Sequence, residues 1–534
     1  MADSETQHMN EQAWWERWRR YERLAVTAAL VCYGTARVML VTQAGPLAGG
    51  FTHDSAYNAI VAGELLKGHG YVNPASWLVF LNPSDLPMPF HNTNPGYVTV
   101  IAAVSWIFGA DVVWSGFLVS ALASVLLAFA VYSLVLPFAR SRMFSALCAS
   151  FIVLFPVHLR DSLSYVPDAL STALTIWCLA LLVRRRFLWA GVVFGCAWLC
   201  RSTAVFCLPG VLAYVLAKHG LRQGFRAVAT FLVASAAVAS PWLVHTARVW
   251  GSPFRSDGVY YLLQNYYACR MGHCDVERYW HSLSPPPPLS DVLRHDARGL
   301  MWFAARGIPR LLYGTLYGWS EASKPVAALL VTLLGLAALQ WRRVVRTAEG
   351  IAVTVICTVT FGVLTLRADS LEIRYLGPCT ALIFACAFAA VFPAARGGLG
   401  RLPRSQAVTA AAVLLPLFAA WPVQDWTLLR VLRVPRQETA ELKAAFEEVN
   451  RNYARGQRVL VYRPYFYTLF TGTSALSIPE ASRQELIDYM RRYRAPFLIL
   501  EKPAARRLIP SLAPEFRETI TLGGRVVIEL LRVP

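Results

Sequence analysis

Residues 95–108 read PGYVTVIAAVSWIF, and whether this run of fourteen residues crosses a membrane decides the topology of the whole chain. A helix needs roughly twenty apolar residues to cross the hydrocarbon core, so the run is short for a span. The flanking loops give a second criterion, because Lys and Arg in short loops mark the cytoplasmic side. If 95–108 crosses, the basic turns Arg140–Arg142, Arg184–Arg186 and Lys218–Arg226 all fall outside. If it lies in the interface, all three fall inside, together with Arg342, Arg343, Arg346, Arg396, Arg401 and Arg404. Only the second arrangement satisfies every short basic loop, so the run is read as an interfacial helix.

Working outward, eleven spans are expected, near 24–43, 112–136, 143–157, 167–183, 187–201, 203–217, 226–246, 325–341, 350–366, 376–394 and 407–423. Several are short, which implies tilted or partly buried helices. The N-terminus is placed in the cytoplasm. Its Arg17, Arg19, Arg20 and Arg23 alternate with Trp14, Trp15, Trp18 and Tyr21, a mix suited to the cytoplasmic interface. The first two dozen residues are too polar for a cleavable signal peptide.

The outer face then receives loop 44–111, the corner 158–166, loop 247–324, the corner 367–375 and the region 424–534. In this last region charged helical patterns at 438–450 and 482–493 alternate with β-type runs at 458–462, 496–500 and 526–531. That alternation predicts a small α/β domain. The expected fold is a polytopic α-helical membrane protein of about eleven transmembrane helices. Residues 1–423 form the membrane module and 424–534 a small extracytoplasmic α/β domain. A bacterial inner (plasma) membrane is the expected location.

Composition agrees. Of the 534 residues, 56% are hydrophobic and 16% charged, against roughly 45–50% and 25% in soluble chains. The net charge of +19 sits largely in short loops. No zinc-finger spacing, RNP-like stretch or basic helix accompanies it, which excludes nucleic acid as a partner. Attraction to membrane lipid and to lipid-linked phosphates accounts for the charge. Most of the 11 cysteines fall in or near spans and read as small apolar fillers. Cys269 and Cys274 fall in a polar outer loop, where a disulfide is one reading and metal ligation with His273 and Asp275 another.

The chemistry centres on residues 51–74, FTHDSAYNAIVAGELLKGHGYVNP. Tyr57, Ile60, Val61, Glu64 and Leu65 have the spacing of a helix lying on the membrane surface. Asp54 or Ser55 caps its start and GHG ends it. By pattern alone Asp54 reads as a base at a cavity lip or as a simple N-cap. A second group occupies span ends on the same face: Asp168, Arg201, and Arg374 with Tyr375 and the nearby Glu372. These are a cationic pocket for a phosphate, or ion pairs that pin helix ends. Arg160 and Asp161 are read as structural. The loop tyrosines Tyr260, Tyr261, Tyr266 and Tyr267, with Trp250, suit sugar stacking or the interface. His69 and His91 are read as ordinary loop residues. No Walker A, HExxH, strand-to-helix GxSxG or paired CxxC occurs. The cytoplasmic loops are too short to handle a nucleotide-sugar donor, which favours a lipid-linked one.

These stretches together resemble the GT-C superfamily of polyprenyl-phosphate-sugar-dependent glycosyltransferases, in particular the protein O-mannosyltransferase and lipid A aminoarabinose transferase group. The resemblance spans nearly the whole chain. It rests on Asp54 with LLKGHGYV, NPGYVTVIAAVSWIFGA, SYVPDALSTALTIWCLALLVRRR at 164–186, GVVFGCAWLCRSTAVFCLPGVLAYVL at 191–216, PWLVHTARVWGSPF at 241–254 and EIRYLGP at 372–378. It implies that Asp54 is the catalytic base and that the polyprenyl phosphate leaves with inversion. Arg201, Arg374, Asp168 and Tyr375 would hold donor phosphate or sugar, with His53, Tyr57 and Glu372 assisting. Many relatives carry a second acidic residue directly after the Asp, where this chain has Ser55. The implied partners are a polyprenyl-phosphate-linked sugar and an acceptor lipid, glycan or protein. No cofactor is required by the sequence, and a divalent metal is left open. The competing readings are a transporter or flippase for lipid-linked or polar solutes, and an inactive relative serving as an assembly partner.

Overall fold

The computed structural model describes residues 51–90, 94–139, 142–254, 258–270, 276–320, 346–367, 376–391, 439–501, 517–521 and 527–532, with Ala28, Cys32, Thr35 and Met39. The spans expected near 24–43, 325–341 and 407–423 lie outside these residues, apart from those four positions.

The described helices of the helical bundle and its surface are α1 His53–Leu66, α2 Gly96–Phe108, α3 Val112–Ala139, α4 Arg142–Leu154, α5 Pro156–Ser162, α6 Asp168–Val183, α7 Phe187–Cys200, α8 Leu208–Trp250, α9 Ala348–Leu364 and α10 Gly377–Val391. Two stretches, Val112–Phe138 and Ser202–Trp250, are long and apolar enough to cross a membrane, and several shorter helices are apolar. At 13 residues, α2 is about 20 Å long, short of the roughly 30 Å hydrocarbon core.

The second long stretch is not one rod. Gly220 has φ 69° and ψ 173°, outside helical space, a backbone that glycine tolerates and other residues resist. Beyond it Gly224 lies against Leu216 and Val215. A straight helix would separate residues eight apart by about 12 Å. The chain therefore turns back at Gly220, and α8 is two antiparallel arms, at the place where two spans are expected.

Small residues let these helices approach. A Cβ on Gly191 would meet Phe231 O at 2.3 Å, on Gly195 Ser235 O at 2.9 Å, and on Gly210 Ala352 O at 2.6 Å. Lipid supplies no hydrophobic force between helices, so close backbone packing is what holds such contacts. One apolar cluster joins α3, α4, α6, α7, α8, α9 and α10.

The described strands and two of the remaining helices form a cap. Strands β1 Val72–Asn73 and β3 Met88–Pro89 pair antiparallel. Between them β2 Ala75–Ser76 leaves the first loop and joins a six-stranded sheet of order β2-β5-β4-β6-β8-β7. The others are β4 Val459–Val461, β5 Ala475–Leu476, β6 Phe497–Glu501, β7 Arg517–Thr521 and β8 Val527–Arg532. The first four in spatial order are parallel and the last two pairings antiparallel. Helices α11 Pro464–Thr471 and α12 Arg483–Arg492 accompany the sheet. The division at 423/424 drawn from the sequence is thus crossed by hydrogen bonds, because Ala75 and Ser76 pair with Ala475 and Leu476. Arg458 fastens the same junction, donating from Nη2 to Leu86 O at 2.8 Å and pairing through Nη1 with Asp85.

Candidate functional site

Helix α1 begins in a capping box. Thr52 Oγ1 accepts from the Ser55 N–H, and Ser55 Oγ accepts from the Thr52 N–H at 2.9 Å. The box satisfies two of the donors a helix start leaves open. It places Asp54 in the first turn, exposed, where a carboxylate is favoured by the helix dipole. The cap belongs to Thr52, so Asp54 is relieved of that role.

Ser55 has a further contact. Its hydroxyl donates to Tyr165 O at 3.0 Å, fully buried. Tyr165 is itself locked: its ring fills the space beside Gly116, and its hydroxyl donates to Val112 O at 3.2 Å. This explains the departure at Ser55, since a second carboxylate would set an acceptor against a carbonyl. Ser55→Asp is expected to lower stability by about 3 kcal/mol or more. Ser55→Ala should cost about 1–2 kcal/mol. Thermal unfolding of the two purified variants in one detergent checks the order.

Three residues beyond Tyr165, Asp168 opens α6. Its carboxylate is 1% exposed and stands 2.9 Å from Arg201 Nη1, which is 14% exposed. The pair is off the hydrogen-bonding line, so it is held as an ion pair. Arg201 breaks the chain between α7 and the 3-10 turn at Ser202–Cys207, in extended backbone. Asp168 and Arg201 line a small cavity with Thr172, Thr203, Thr360 and Pro378. The helices starting at Asp168 and Gly377 direct their first turns toward it, and helix N-termini favour anions. Arg374, Tyr375 and Glu372 lie outside the described residues. The helix that follows them contributes Pro378 and Cys379 to the cavity. The Ser55–Tyr165 hydrogen bond ties the start of α1 to the segment that leads into Asp168, whose ion-pair partner is Arg201.

His53 is held between the membrane module and the cap. Its ring is 4.0 Å from Trp77 and 4.5 Å from Tyr465, centroid to centroid. Its Nε2 is buried with no hydrogen-bond partner among the described residues. Burial pushes its pKa down to about 4, Asp54 opposes the shift, and Arg463 and His281 add to it. At neutral pH His53 is therefore neutral. The unfolded chain protonates near 6.5, so between about pH 6.5 and 4 it binds the extra proton. Stability is expected to fall as pH drops through that window, and the fall should lessen in His53→Gln. Unfolding temperatures at pH 7 and pH 4.5 test this.

Other expectations meet the structure as follows. Tyr57 is buried, stacked on Phe90 and tilted against Tyr465, so its ring joins the cap to α1. Asp161 is buried and Arg160 exposed. Tyr266 and Tyr267 are buried in a core that the loop shares with Leu78 and Phe80 of the first outer loop, with Tyr279 stacked on Tyr267. They are neither a free stacking surface nor an interfacial belt. His69 is tied to Glu64 at 2.6 Å, and His91 lies outside the described residues. Cys269 is exposed, and Cys274, His273 and Asp275 lie outside the described residues. Among the described residues no three His, Cys, Asp or Glu side chains gather to hold a metal. The sequence reading missed Trp77, His281, Tyr462, Tyr465 and Arg463. In sequence 385 residues separate Trp77 from its partner Tyr462, and the shared sheet brings them together.

The fold is similar to those of solved membrane-bound sugar transferases. Residues 92–245 match the family described as dolichyl-phosphate-mannose-protein mannosyltransferase. The structure of ArnT from Cupriavidus metallidurans bound to undecaprenyl phosphate is similar, with TM-score 0.57 and 13% identity, covering 94% of this chain and 97% of that one. So is archaeal oligosaccharyltransferase AglB from Archaeoglobus fulgidus, solved with an inhibitory peptide and a dolichol-phosphate, with TM-score 0.57, 13% identity and coverage of 91% and 70%. No curated protein matches by sequence.

Proposed function

We propose that this protein is a membrane glycosyltransferase that moves a sugar from a polyprenyl-phosphate donor to an acceptor hydroxyl at the extracytoplasmic face. The observation that carries the reading is the Ser55–Tyr165 hydrogen bond, which ties the helix start that carries Asp54 to the segment leading into Asp168 and its partner Arg201. The likeness to proteins solved with undecaprenyl phosphate and dolichol-phosphate supports the donor class.

In this mechanism Asp54 accepts the proton of the acceptor hydroxyl. The freed oxygen pair attacks the anomeric carbon, the bond from that carbon to the phosphate oxygen breaks, and configuration inverts. A hydroxyl needs a base within hydrogen-bond reach to become an effective nucleophile. Negative charge grows on the departing phosphate, where Arg201 and Arg374 meet it. Asp168 positions the Arg201 guanidinium. The N-terminus is cytoplasmic, and the cap over residues 424–534 lies outside, where Ala75–Ser76 of the first outer loop joins its sheet.

The test supplies purified protein in lipid with polyprenyl-phosphate-linked hexoses and pentoses and membrane extract as acceptor. Appearance of free polyprenyl phosphate together with a glycosylated acceptor is the expected result. Transfer from a nucleotide sugar with no lipid-linked donor would defeat the reading. A transporter would instead move the lipid-linked sugar unchanged between leaflets.

A further inference from the structure

The end of α6 remote from Asp168 carries a different kind of surface. Over its 16 residues, α6 places the two ends about 24 Å apart. Arg184, Arg185 and Arg186 follow it, Lys218 ends the first arm of α8, and Arg222 and Arg226 begin the second. Arg184 Nη2 donates to Ser133 O at 3.2 Å, and Lys218 pairs with Glu349 at 2.9 Å.

Arg185 and Arg186 have no carboxylate within ion-pair distance among the described residues. Arg185 is held at φ 58°, left-handed backbone that is uncommon for a non-glycine residue. Both line an open groove of about 650 Å³ with Phe187, Leu188, Trp189 and Thr230. Leu188 and Trp189 are 54% and 58% exposed, and Leu221 and Phe225, beside Arg222 and Arg226, are 82% and 71% exposed.

We propose that this groove binds an anionic diacyl phospholipid, its phosphate on Arg185 and Arg186 and its chains along Leu188 and Trp189. Guanidinium forks suit a phosphate, and basic pockets between membrane helices suit anionic headgroups. A free anion would engage only the arginines, whereas the exposed apolar residues beside them suit acyl chains, which is why the occupant is a lipid. The inference rests on the helices crossing a membrane and is independent of the transfer chemistry.

The test titrates the full-length protein in neutral detergent with dioleoyl phosphatidylglycerol, dioleoyl phosphatidylcholine or inorganic phosphate. Bound lipid is counted by native mass spectrometry. Saturable retention of phosphatidylglycerol is expected, resistant to inorganic phosphate and unmatched by phosphatidylcholine. Each basic residue near a membrane surface contributes about 1 kcal/mol toward anionic lipid, so R185A/R186A should weaken retention about 30-fold. Sugar transfer should persist in the variant, which separates this groove from the donor site. If the double variant does not fold, Arg186→Gln alone carries the comparison. Equal retention by variant and parent, equal binding of phosphatidylcholine, or displacement by inorganic phosphate would each overturn the proposal.

Discussion

Asp54→Asn is expected to reduce sugar transfer by about 100- to 10,000-fold, the range in which a positioned general base contributes. The substitution preserves shape and leaves the start of α1 intact. The first-turn cap is made by Thr52 and Ser55, and neither bond involves the Asp54 carboxylate. Asn cannot accept the hydroxyl proton, so the chemical step loses its base while the helix keeps its geometry. The variant should therefore insert and unfold like the parent within about 0.5 kcal/mol, as exposed substitutions usually do. The measurement is transferred label per mole of protein, read beside the unfolding temperature. Asp54→Glu keeps the charge but shifts the oxygens outward, so it should retain a small part of the activity. An inactive variant that also unfolds would point to a structural Asp54. A fully active Asp54→Asn would remove the base assignment altogether.

Much of this arrangement can be traced to local sequence signals. Helix α2 occupies 96–108, where the short run between Pro95 and Gly109 places it, and Gly109 ends it in left-handed backbone. Helix α12 starts at Arg483, after the Ser482 and Glu485 capping box, a signal readable from the letters alone. Asp168 and Arg201 stood out because charge at a span end is rare. The two stand 2.9 Å apart, which the ion-pair reading and the phosphate-pocket reading both allow. What local pattern could not convey was long-range assembly. Two residues, Ala75 and Ser76, are too few for a strand signal, yet they form the edge of the cap sheet. The aromatic wall around His53 comes from β-strand pairing between distant segments, and no periodicity announces it. The loop tyrosines 266 and 267 carried an aromatic signal whose meaning depended on whether the loop had a core of its own. The loop instead shares a core with Leu78 and Phe80 of the first outer loop, so burial, which composition cannot report, decided their role.

The second large effect concerns Arg201, and it separates folding from chemistry. Asp168 is a buried carboxylate whose ion-pair partner is Arg201. Removing one member of a buried pair leaves the other charge uncompensated, which costs about 3–5 kcal/mol. Arg201→Ala should therefore lose both stability and transfer, a result that alone would be ambiguous. Asp168→Asn with Arg201→Gln removes both charges and keeps similar volumes. Replacing both members of such a pair is often close to neutral, so the double variant should recover most of the lost stability. It should not recover transfer, because no guanidinium remains to meet the charge growing on the departing phosphate. Arg201→Lys adds a third comparison: it keeps the charge and loses the planar fork, so transfer should fall further than stability. Steady-state rates at varied lipid-linked donor, measured beside unfolding temperatures, give all three. If the double variant transfers sugar as well as the parent, the pair pins α6 to the turn after α7, and the phosphate is held elsewhere.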